Sequence, residues 1–188
     1  MITTFLGYIV IAGFFLFEGQ LRKGQEAKSL KSGEFDQRST MFIGIAYLIC
    51  AIALWLALLL NWMKIAALSA WIGWLGIAIA LSGLGFRAWA MRVLGAFYTR
   101  TLKMAENQSI ARGGPYRLIR HPGYLGSILM WAGAATATAN WIVILIVLIA
   151  MFSAYHYRIQ NEEKMLLATN ADYKEYKSHT WRLIPFLY

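Results

Sequence analysis

The sequence predicts an all-α integral membrane protein with about five transmembrane helices. Hydrophobic residues make up 59% of its 188 positions, and its mean hydropathy is +0.51, whereas soluble domains are roughly 45–50% apolar. Its charged residues lie in a few segments that separate long uncharged runs. The single Cys and three Pro argue against a disulfide-stabilised secreted scaffold and against a proline-rich linker.

Five apolar runs are candidates for crossing the bilayer, because about 20 apolar residues span ~30 Å of hydrocarbon as a helix. They are residues 2–17, 41–60, 65–86, 124–139 and 141–155. The second and third runs are separated only by residues 61–64 and are predicted to form an antiparallel hairpin. The last two meet at Asn140 in a C-terminal hairpin. Each of these last two runs is near the lower length limit for crossing the bilayer alone, so the alternative is a C-terminal hairpin that is re-entrant or spans only part of the bilayer.

The basic residues predict the orientation, since Lys and Arg of short loops stay on the cytoplasmic side. With the N-terminus outside, every basic residue except Lys64 is cytoplasmic, in residues 18–40, 87–123 and the C-terminal tail, and all nine acidic residues lie in the same segments. Met1-Ile2-Thr3 has no basic residue, which predicts a retained first span rather than a cleaved signal peptide. The net charge of +9 then indicates membrane lipids, and no nucleic acid, as partners.

Several common site types are excluded by the motifs. Gly83-Leu84-Gly85 lacks the third glycine of a dinucleotide fingerprint, and no segment resembles a phosphate loop. The three His have no Cys or carboxylate at ligand spacing, so we predict no metal site. The small residues 133–137 are predicted to allow close helix packing rather than to line a tunnel for a lipid chain.

The first polar cluster precedes the fourth apolar run. Pro122 suits the first helical position, which places His121 near the helix cap. The free N–H groups and the positive dipole end of this helix, together with Arg117 and Arg120, would make an anion site. The alternative is that these side chains are flanks that extend toward lipid head groups.

The second cluster, Tyr155 to Leu167, lies where the fifth run leaves the bilayer. Arg158 and Glu162 are four residues apart and are predicted to pair on one helix face, while Glu163 is rotated by ~140° from Arg158. A turn at Asn140 brings this cluster to the same end of the hairpin as the first one. Ionisable groups that converge beside lipid indicate a functional site.

Four blocks resemble the isoprenylcysteine carboxyl methyltransferases and the related membrane phospholipid methyltransferases. They are LGAFYTR (94–100), GGPYRLIRHPGYLG (113–126), RIQNEEKMLL (158–167) and YKEYKSHTWRLIP (173–185), in this order. The resemblance covers the C-terminal half, and the first two spans match by hydropathy alone. We accordingly divide the chain into N-terminal transmembrane helices, residues 1–86, and a methyltransferase-like region, residues 87–188.

The resemblance implies an S-adenosylmethionine-dependent enzyme with a cytoplasmic cofactor pocket at the end of the final hairpin. His121 or Arg120 would meet the methionyl carboxylate, Glu162 or Glu163 the ammonium, and the ring faces of Tyr116 and Tyr124 the sulfonium. At the position of Gln108 the family often has His, and Gln can form a hydrogen bond there but cannot carry a charge. The residues implied to contact the cofactor are Gln108, Ile110, Ala111, Gly114, Tyr116, Arg120, His121, Pro122, Tyr124 and Glu162.

The resemblance also implies a lipophilic or prenylated methyl acceptor, with an isoprenylcysteine-type carboxylate favoured. Arg158 would hold that carboxylate, and Glu163 would fix Arg158 or the cofactor. An ionised carboxylate needs no general base, whereas a phospholipid amine or a small thiol would have to lose a proton to Glu163, His121 or Tyr124. Two other hypotheses are an oxidoreductase similar to membrane sterol reductases and a non-enzymatic membrane scaffold.

Overall fold

The structure is a computed structural model and describes residues 2–21, 33–59, 69–95, 101–102 and 110–188. These ranges contain the helices α1 (Ile2–Leu21), α2 (Ser39–Leu56), α3 (Ser69–Leu94), α4 (Pro122–Thr136), α5 (Trp141–Thr169) and α6 (Tyr173–Ser178). Short 3-10 turns, Glu34–Asp36 and Gly114–Arg117, precede α2 and α4. No β-strand occurs within the described ranges. The all-α prediction is therefore confirmed.

Among the described residues, three helices are long and apolar enough to cross a membrane: α2, the part Trp71–Leu94 of α3, and α5. The apolar part of α1 is shorter, Ile2–Leu16, and α4 has 15 residues, or ~22 Å at 1.5 Å per residue. The integral membrane class is supported, whereas the number of five full spans stays a prediction. At 29 residues, α5 is ~43 Å long and exceeds the hydrocarbon thickness. Its last turns therefore reach beyond the apolar layer.

Two glycines on each helix bring α3 and α4 into backbone contact. A Cβ on Gly76 would lie 2.3 Å from the backbone N of Ala137, and one on Gly133 would lie 2.3 Å from that of Ala80. Two helical turns further along α3, Gly83 makes the same kind of backbone contact with α4, beside Gly126. Such small residues let helices approach closely when lipid supplies no hydrophobic driving force. The predicted packing role of the 133–137 run is confirmed at Gly133.

The predicted hairpin of the second and third apolar runs is not a packed pair in the described residues. α2 packs chiefly against α5, and α3 packs chiefly against α4. The buried residues of α2 include Cys50 and Leu54, which join the core cluster that also contains Val147 of α5. The face of α3 that carries Gly76 and Gly83 instead packs against α4. Although α2 and α3 follow one another in the chain, the fit between helix surfaces pairs α2 with α5 and α3 with α4.

The turn between α4 and α5 lies at Asn140, as predicted. The Asn140 side chain caps α5 by accepting hydrogen bonds from the backbone N–H groups of Ile142 (3.1 Å) and Val143 (3.3 Å). The two helices therefore run antiparallel, and the start of α4 lies beside the last turns of α5. Large apolar side chains such as Trp71, which is 79% exposed, cover the outer surface. A lipid-facing surface accounts for this exposure.

Candidate active site

The first cluster is fixed by backbone pairing with the C-terminal tail. Pro122 is the first residue of α4 and His121 is its N-cap, as the sequence predicts. The backbone N–H of Arg120 donates to the carbonyl of Trp181 (2.8 Å), and that of His121 donates to the carbonyl of Arg182 (3.2 Å). This pairing brings the tail against the last turns of α5. The tail thereby becomes one wall of the site.

Glu163 is the anionic centre of the site. Its side chain is 4% exposed and accepts hydrogen bonds from Arg120 Nε (3.1 Å), Arg182 Nε (3.1 Å) and Arg182 Nη2 (2.9 Å). The ammonium of Lys177 lies 3.3 Å away. The hydrogen bond to Glu163 is the largest influence that holds the pKa of Arg182 above its usual value. A buried carboxylate is tolerated here because several cations surround it.

Glu162 has a different environment, although it is the adjacent residue. Its Oε2 accepts a hydrogen bond from the Tyr124 hydroxyl (2.7 Å) and lies 3.6 Å from His121 Nδ1. The His121 ring stacks on Tyr124, with centroids 5.5 Å apart and planes 6° apart. The Tyr124 hydroxyl also accepts from Arg158 Nε at 3.3 Å. The Tyr124 hydroxyl therefore bridges Arg158 and Glu162, the two residues that the sequence predicts to form an ion pair.

Arg158 is buried, and a carboxylate from the N-terminal part of the chain binds it. Its Nη1 donates to Asp36 Oδ1 (2.7 Å), Ser39 Oγ (2.8 Å) and Thr40 Oγ1 (2.9 Å). Burial raises the pKa of Asp36, but the Thr40 hydrogen bond and the charge of Arg158 outweigh it, so this pKa lies below its ordinary value. Asp36 is therefore ionised at neutral pH and forms an ion pair with Arg158.

The other predicted cofactor residues lie along the segment that leads to α4. Ile110 packs against the apolar cluster that contains Leu102 and Tyr173, and Ala111 is half-buried beside it in the chain. Gly114 has φ +54°, a value that favours glycine. The buried Tyr116 accepts a hydrogen bond at its carbonyl from the Tyr176 hydroxyl, at 2.7 Å. Gln108 lies outside the described residues.

The donor set fits the amino-acid part of S-adenosylmethionine, which has one carboxylate and one ammonium. Arg120 and Arg182 are cations at one side of the site, and Glu162 is a carboxylate whose side chain is 24% exposed. Two buried polar atoms of neighbouring segments have no hydrogen-bond partner among the described residues: Asn161 Nδ2, which precedes Glu162 in α5, and the Tyr173 hydroxyl at the start of α6. Buried polar atoms are normally paired. Unpaired ones in this position are consistent with a site for a polar ligand.

Sequence reasoning misses Asp36 and the role of Arg182. In the sequence Asp36 is only one of nine acidic residues in the charged segments, and no local pattern indicates a partner 122 residues away. Arg182 stands inside the YKEYKSHTWRLIP block, which is a usable signal. Its two hydrogen bonds to Glu163 depend on the tail folding back, which spacing does not indicate.

A further ion pair, between Arg87 and Glu18, lies next to this site. Arg87 of α3 is 4% exposed, and its Nη2 lies 3.0 Å from Glu18 Oε1 of α1. Its Nη1 donates to the carbonyl of Gly123 (2.8 Å) and to Ser127 Oγ. In the sequence Arg87 counts as a cytoplasmic flank. In the structure it joins α1, α3 and α4 at the end that holds the candidate site.

Comparisons with known proteins agree with this architecture. The sequence model of the family described as phospholipid methyltransferase matches residues 70–170, which include α4, α5 and the polar clusters at their common end. A solved structure of the eukaryotic intramembrane Ras methyltransferase ICMT aligns with a TM-score of 0.64 at 19% identity. The alignment covers 97% of this chain and 68% of that chain. The likeness shows a shared fold.

Two curated proteins extend the likeness in sequence. The protein-S-isoprenylcysteine O-methyltransferase of Dictyostelium discoideum is 27% identical over 160 residues, which are 83% of this chain and 66% of that protein. The enzyme of the same name from Saccharomyces cerevisiae is 28% identical over 116 residues, which are 60% of this chain and 48% of that enzyme. The chain thus spans from about half to just under two thirds of the length of these relatives.

Proposed function

Because the chain belongs to the phospholipid methyltransferase family, we propose that it is an integral membrane enzyme that transfers a methyl group from S-adenosylmethionine to a lipophilic acceptor. The observation that carries this proposal is the cluster of buried charged residues where α4 begins and α5 leaves the apolar layer. Such a position lets a polar cofactor from water meet an acceptor dissolved in lipid. The family match favours methyl transfer over the oxidoreductase hypothesis.

The cofactor half of the site is assigned to the end of α4, the last turns of α5 and the tail. S-adenosylmethionine would supply an electrophilic methyl group on a sulfonium. Arg120, His121 and the N-terminus of α4 are proposed to bind its carboxylate. Glu162 suits its ammonium better than Glu163, because Glu163 already has Arg120 and Arg182 as partners.

In this proposal Glu163 acts by positioning Arg120 and Arg182. The remaining cofactor contacts are proposed for the segment before α4 and its first turn, and they comprise Gln108, Ile110, Ala111, Gly114, Tyr116, Pro122 and Tyr124.

The acceptor half is assigned to Arg158 and Tyr124. An isoprenylcysteine-type carboxylate is ionised at neutral pH, so it needs no base, and catalysis reduces to orientation and removal of water. Arg158 is proposed to bind this carboxylate, since its guanidinium is held rigidly on Nη1 and Nε. The names of the two curated relatives support this acceptor class.

A phospholipid amine is the second candidate acceptor, and the description of the matching family favours it. N-methylation would require loss of a proton. Of the three candidates for accepting that proton, Glu163 is already paired with Arg120 and Arg182, so His121 or Tyr124, whose rings stack beside Glu162, is proposed. A small thiol would pose the same requirement. Vesicles that contain either prenylcysteine, phosphatidylethanolamine or an alkyl thiol, incubated with labelled cofactor, distinguish the three classes by which product becomes labelled.

The orientation is proposed from the charges: the N-terminus outside, with the site and the C-terminus cytoplasmic. Residues 87–188 would form the catalytic region, and the N-terminal helices would supply its apolar frame together with Asp36. Reporter fusions in the 18–40 and 87–123 segments test the orientation. A reporter found outside would contradict the cytoplasmic site.

The cofactor assignment is tested by calorimetric binding of S-adenosylhomocysteine to detergent-purified protein. We expect His121→Ala and Glu163→Ala to weaken binding by about tenfold or more, since each removes a charge-assisted contact or leaves buried cations unpaired. The exposed residues His179 and Glu175 provide matched controls, because their alanine variants should bind like the wild type. Folded wild-type protein that binds no S-adenosylhomocysteine would contradict the proposed function.

A further inference from the structure

Asp36 is an ionised residue that contacts neither the proposed cofactor nor the proposed acceptor. It ends the 3-10 turn Glu34–Asp36, which Gln37 and Arg38 separate from α2, and it is fully buried. It lies outside residues 70–170, the range matched by the family's sequence model. A buried carboxylate is costly unless it has partners, so its contacts indicate why it is there.

The contacts of Asp36 converge on Arg158. Its Oδ1 accepts from Arg158 Nη1 (2.7 Å) and from the Thr40 hydroxyl (2.6 Å). The Ser39 hydroxyl (3.1 Å) and the backbone N–H of Leu102 (3.4 Å) also donate to Oδ1. The carboxylate is thus held by Ser39 and Thr40, the first residues of α2, and by the backbone of Leu102 in a separate segment. It holds Nη1 of the guanidinium in place, while the Tyr124 hydroxyl holds Nε.

We propose that Asp36 is the permanent counter-ion and positioning residue of Arg158, and that it keeps this arginine neutralised before the acceptor binds and after it is methylated. The inference rests on the proposed function. Methylation converts an acceptor carboxylate into a neutral ester. Without Asp36, Arg158 would lose the negative charge bound to its guanidinium at that step and would remain a buried cation. With Asp36 in place, Arg158 orients the acceptor carboxylate without binding it too tightly for reaction.

This role predicts an unusual kinetic signature for Asp36→Asn. The amide retains a hydrogen-bond acceptor but has no charge, so the acceptor carboxylate becomes the counter-ion of Arg158. An interaction that is stronger in the ground state than in the transition state lowers KM and kcat together. We expect both constants to fall by about tenfold for a prenylcysteine carboxylate, the scale of one hydrogen bond to a charged group. A merely structural role would not tighten acceptor binding.

The experiment measures KM and kcat with this acceptor, and the inhibition constants of its non-reacting sulfonate and carboxamide analogues. Asp36→Asn should bind the anionic sulfonate more tightly and the neutral carboxamide unchanged. In an Arg158→Gln background the substitution should have no further effect, because Asp36 acts through Arg158. Asp172→Asn is the matched control, since Asp172 is the other aspartate and is exposed. It should leave all constants unchanged.

The outcomes separate the two proposals. Wild-type protein that binds S-adenosylhomocysteine but methylates no carboxylate would overturn the acceptor class and this inference with it. An active wild type with unchanged or raised KM in Asp36→Asn would overturn the inference alone. Should Asp36→Asn show no cooperative thermal unfolding in detergent and so fail to fold, Thr40→Val replaces it. Thr40→Val removes one hydrogen bond from Asp36 and one from Arg158 Nη1 but leaves the charge of Asp36 in place. It should therefore shift KM and kcat in the same direction as Asp36→Asn but by less, and unchanged constants would refute the positioning role.

Discussion

At the scale of single residues, neighbours in the sequence have separate tasks because a helix points them in different directions. Glu162 and Glu163 are rotated by ~100° from one another. Glu163 faces the tail and is surrounded by Arg120, Arg182 and Lys177. Glu162 faces Tyr124 and is partly exposed. The structure thus supports one buried carboxylate that organises cations and one that is accessible to a ligand.

Asp36 should make stability depend on pH in the acid range. Its folded pKa lies below its ordinary value of 3.8, so the folded state binds its proton less readily than the unfolded state. Its contribution to stability is fully present above that ordinary value and is lost as pH falls through the lower folded value. We expect the melting temperature of the wild type to exceed that of Asp36→Asn at neutral pH, with the difference shrinking below about pH 4.

Thermal unfolding of both proteins in the same detergent, at a series of pH values from about 3 to 7, measures this difference. The other carboxylates are common to both proteins and cancel in the comparison. A difference that stays constant through the acid range would show that the charge of Asp36 does not stabilise the fold.

At the scale of helices, the contact of α3 with α4 holds the candidate site in place. Glycines seven residues apart on each helix, Gly76 and Gly83 opposite Gly126 and Gly133, permit backbone contact. A Cβ on Gly126 would lie 2.7 Å from the backbone N of Arg87. Arg87 therefore reaches Gly123 in the first turn of α4 and fixes the end of the helix that begins with Pro122.

Gly83→Ala should destabilise the protein, whereas Gly85→Ala should not. A Cβ at Gly83 would lie 2.5 Å from the backbone N of Met130 and 2.8 Å from the carbonyl of Gly126. Overpacking against backbone costs about 1–3 kcal/mol. Gly85 is on the same helix, and a Cβ at that position would have nothing within 4 Å, so its variant is the control. Thermal unfolding and yield after purification compare them, and equal stability would contradict the close packing.

At the scale of the whole molecule, distant segments meet at one end of the helices and enclose the polar residues. The 3-10 turn before α2 supplies Asp36, the last turns of α5 supply Arg158 and Glu163, and the tail supplies Arg182. Arg182 also stacks over the Tyr188 ring at 4.9 Å, and the Tyr188 hydroxyl lies 2.7 Å from His156 Nδ1. The tail is thus anchored at two points on α5.

Arg182→Gln should loosen the tail. The variant loses the charged hydrogen bonds to Glu163 and the contact with Tyr188, so the backbone bonds of residues 181–188 should open more often. We expect their amide hydrogens to exchange about tenfold faster, because exchange of such segments reports local opening. Arg117→Gln is the control, since Arg117 is exposed in the turn before α4. Equal exchange in both variants would show that the ion pair does not hold the tail.

The sequence by itself determined the membrane class, the helices and their polar ends. Hydropathy is a local property, so it located the apolar helices that the described ranges contain and the turn at Asn140. The fixed φ of proline likewise placed His121 at the cap of α4. The ordered blocks around Tyr116, Arg158 and Tyr173 indicated the family, because each block is contiguous.

Only the tertiary structure decided which charges pair. Arg158 binds Asp36, 122 residues away, and not Glu162 directly, while Glu163 binds Arg182 of the tail. It also decided that α3 packs on α4, and not on the neighbouring α2, in the described residues. The physical reason is the same in each case. Ion pairs and close helix contacts depend on which ends and faces meet in space, and neither hydropathy nor spacing along the chain encodes that meeting.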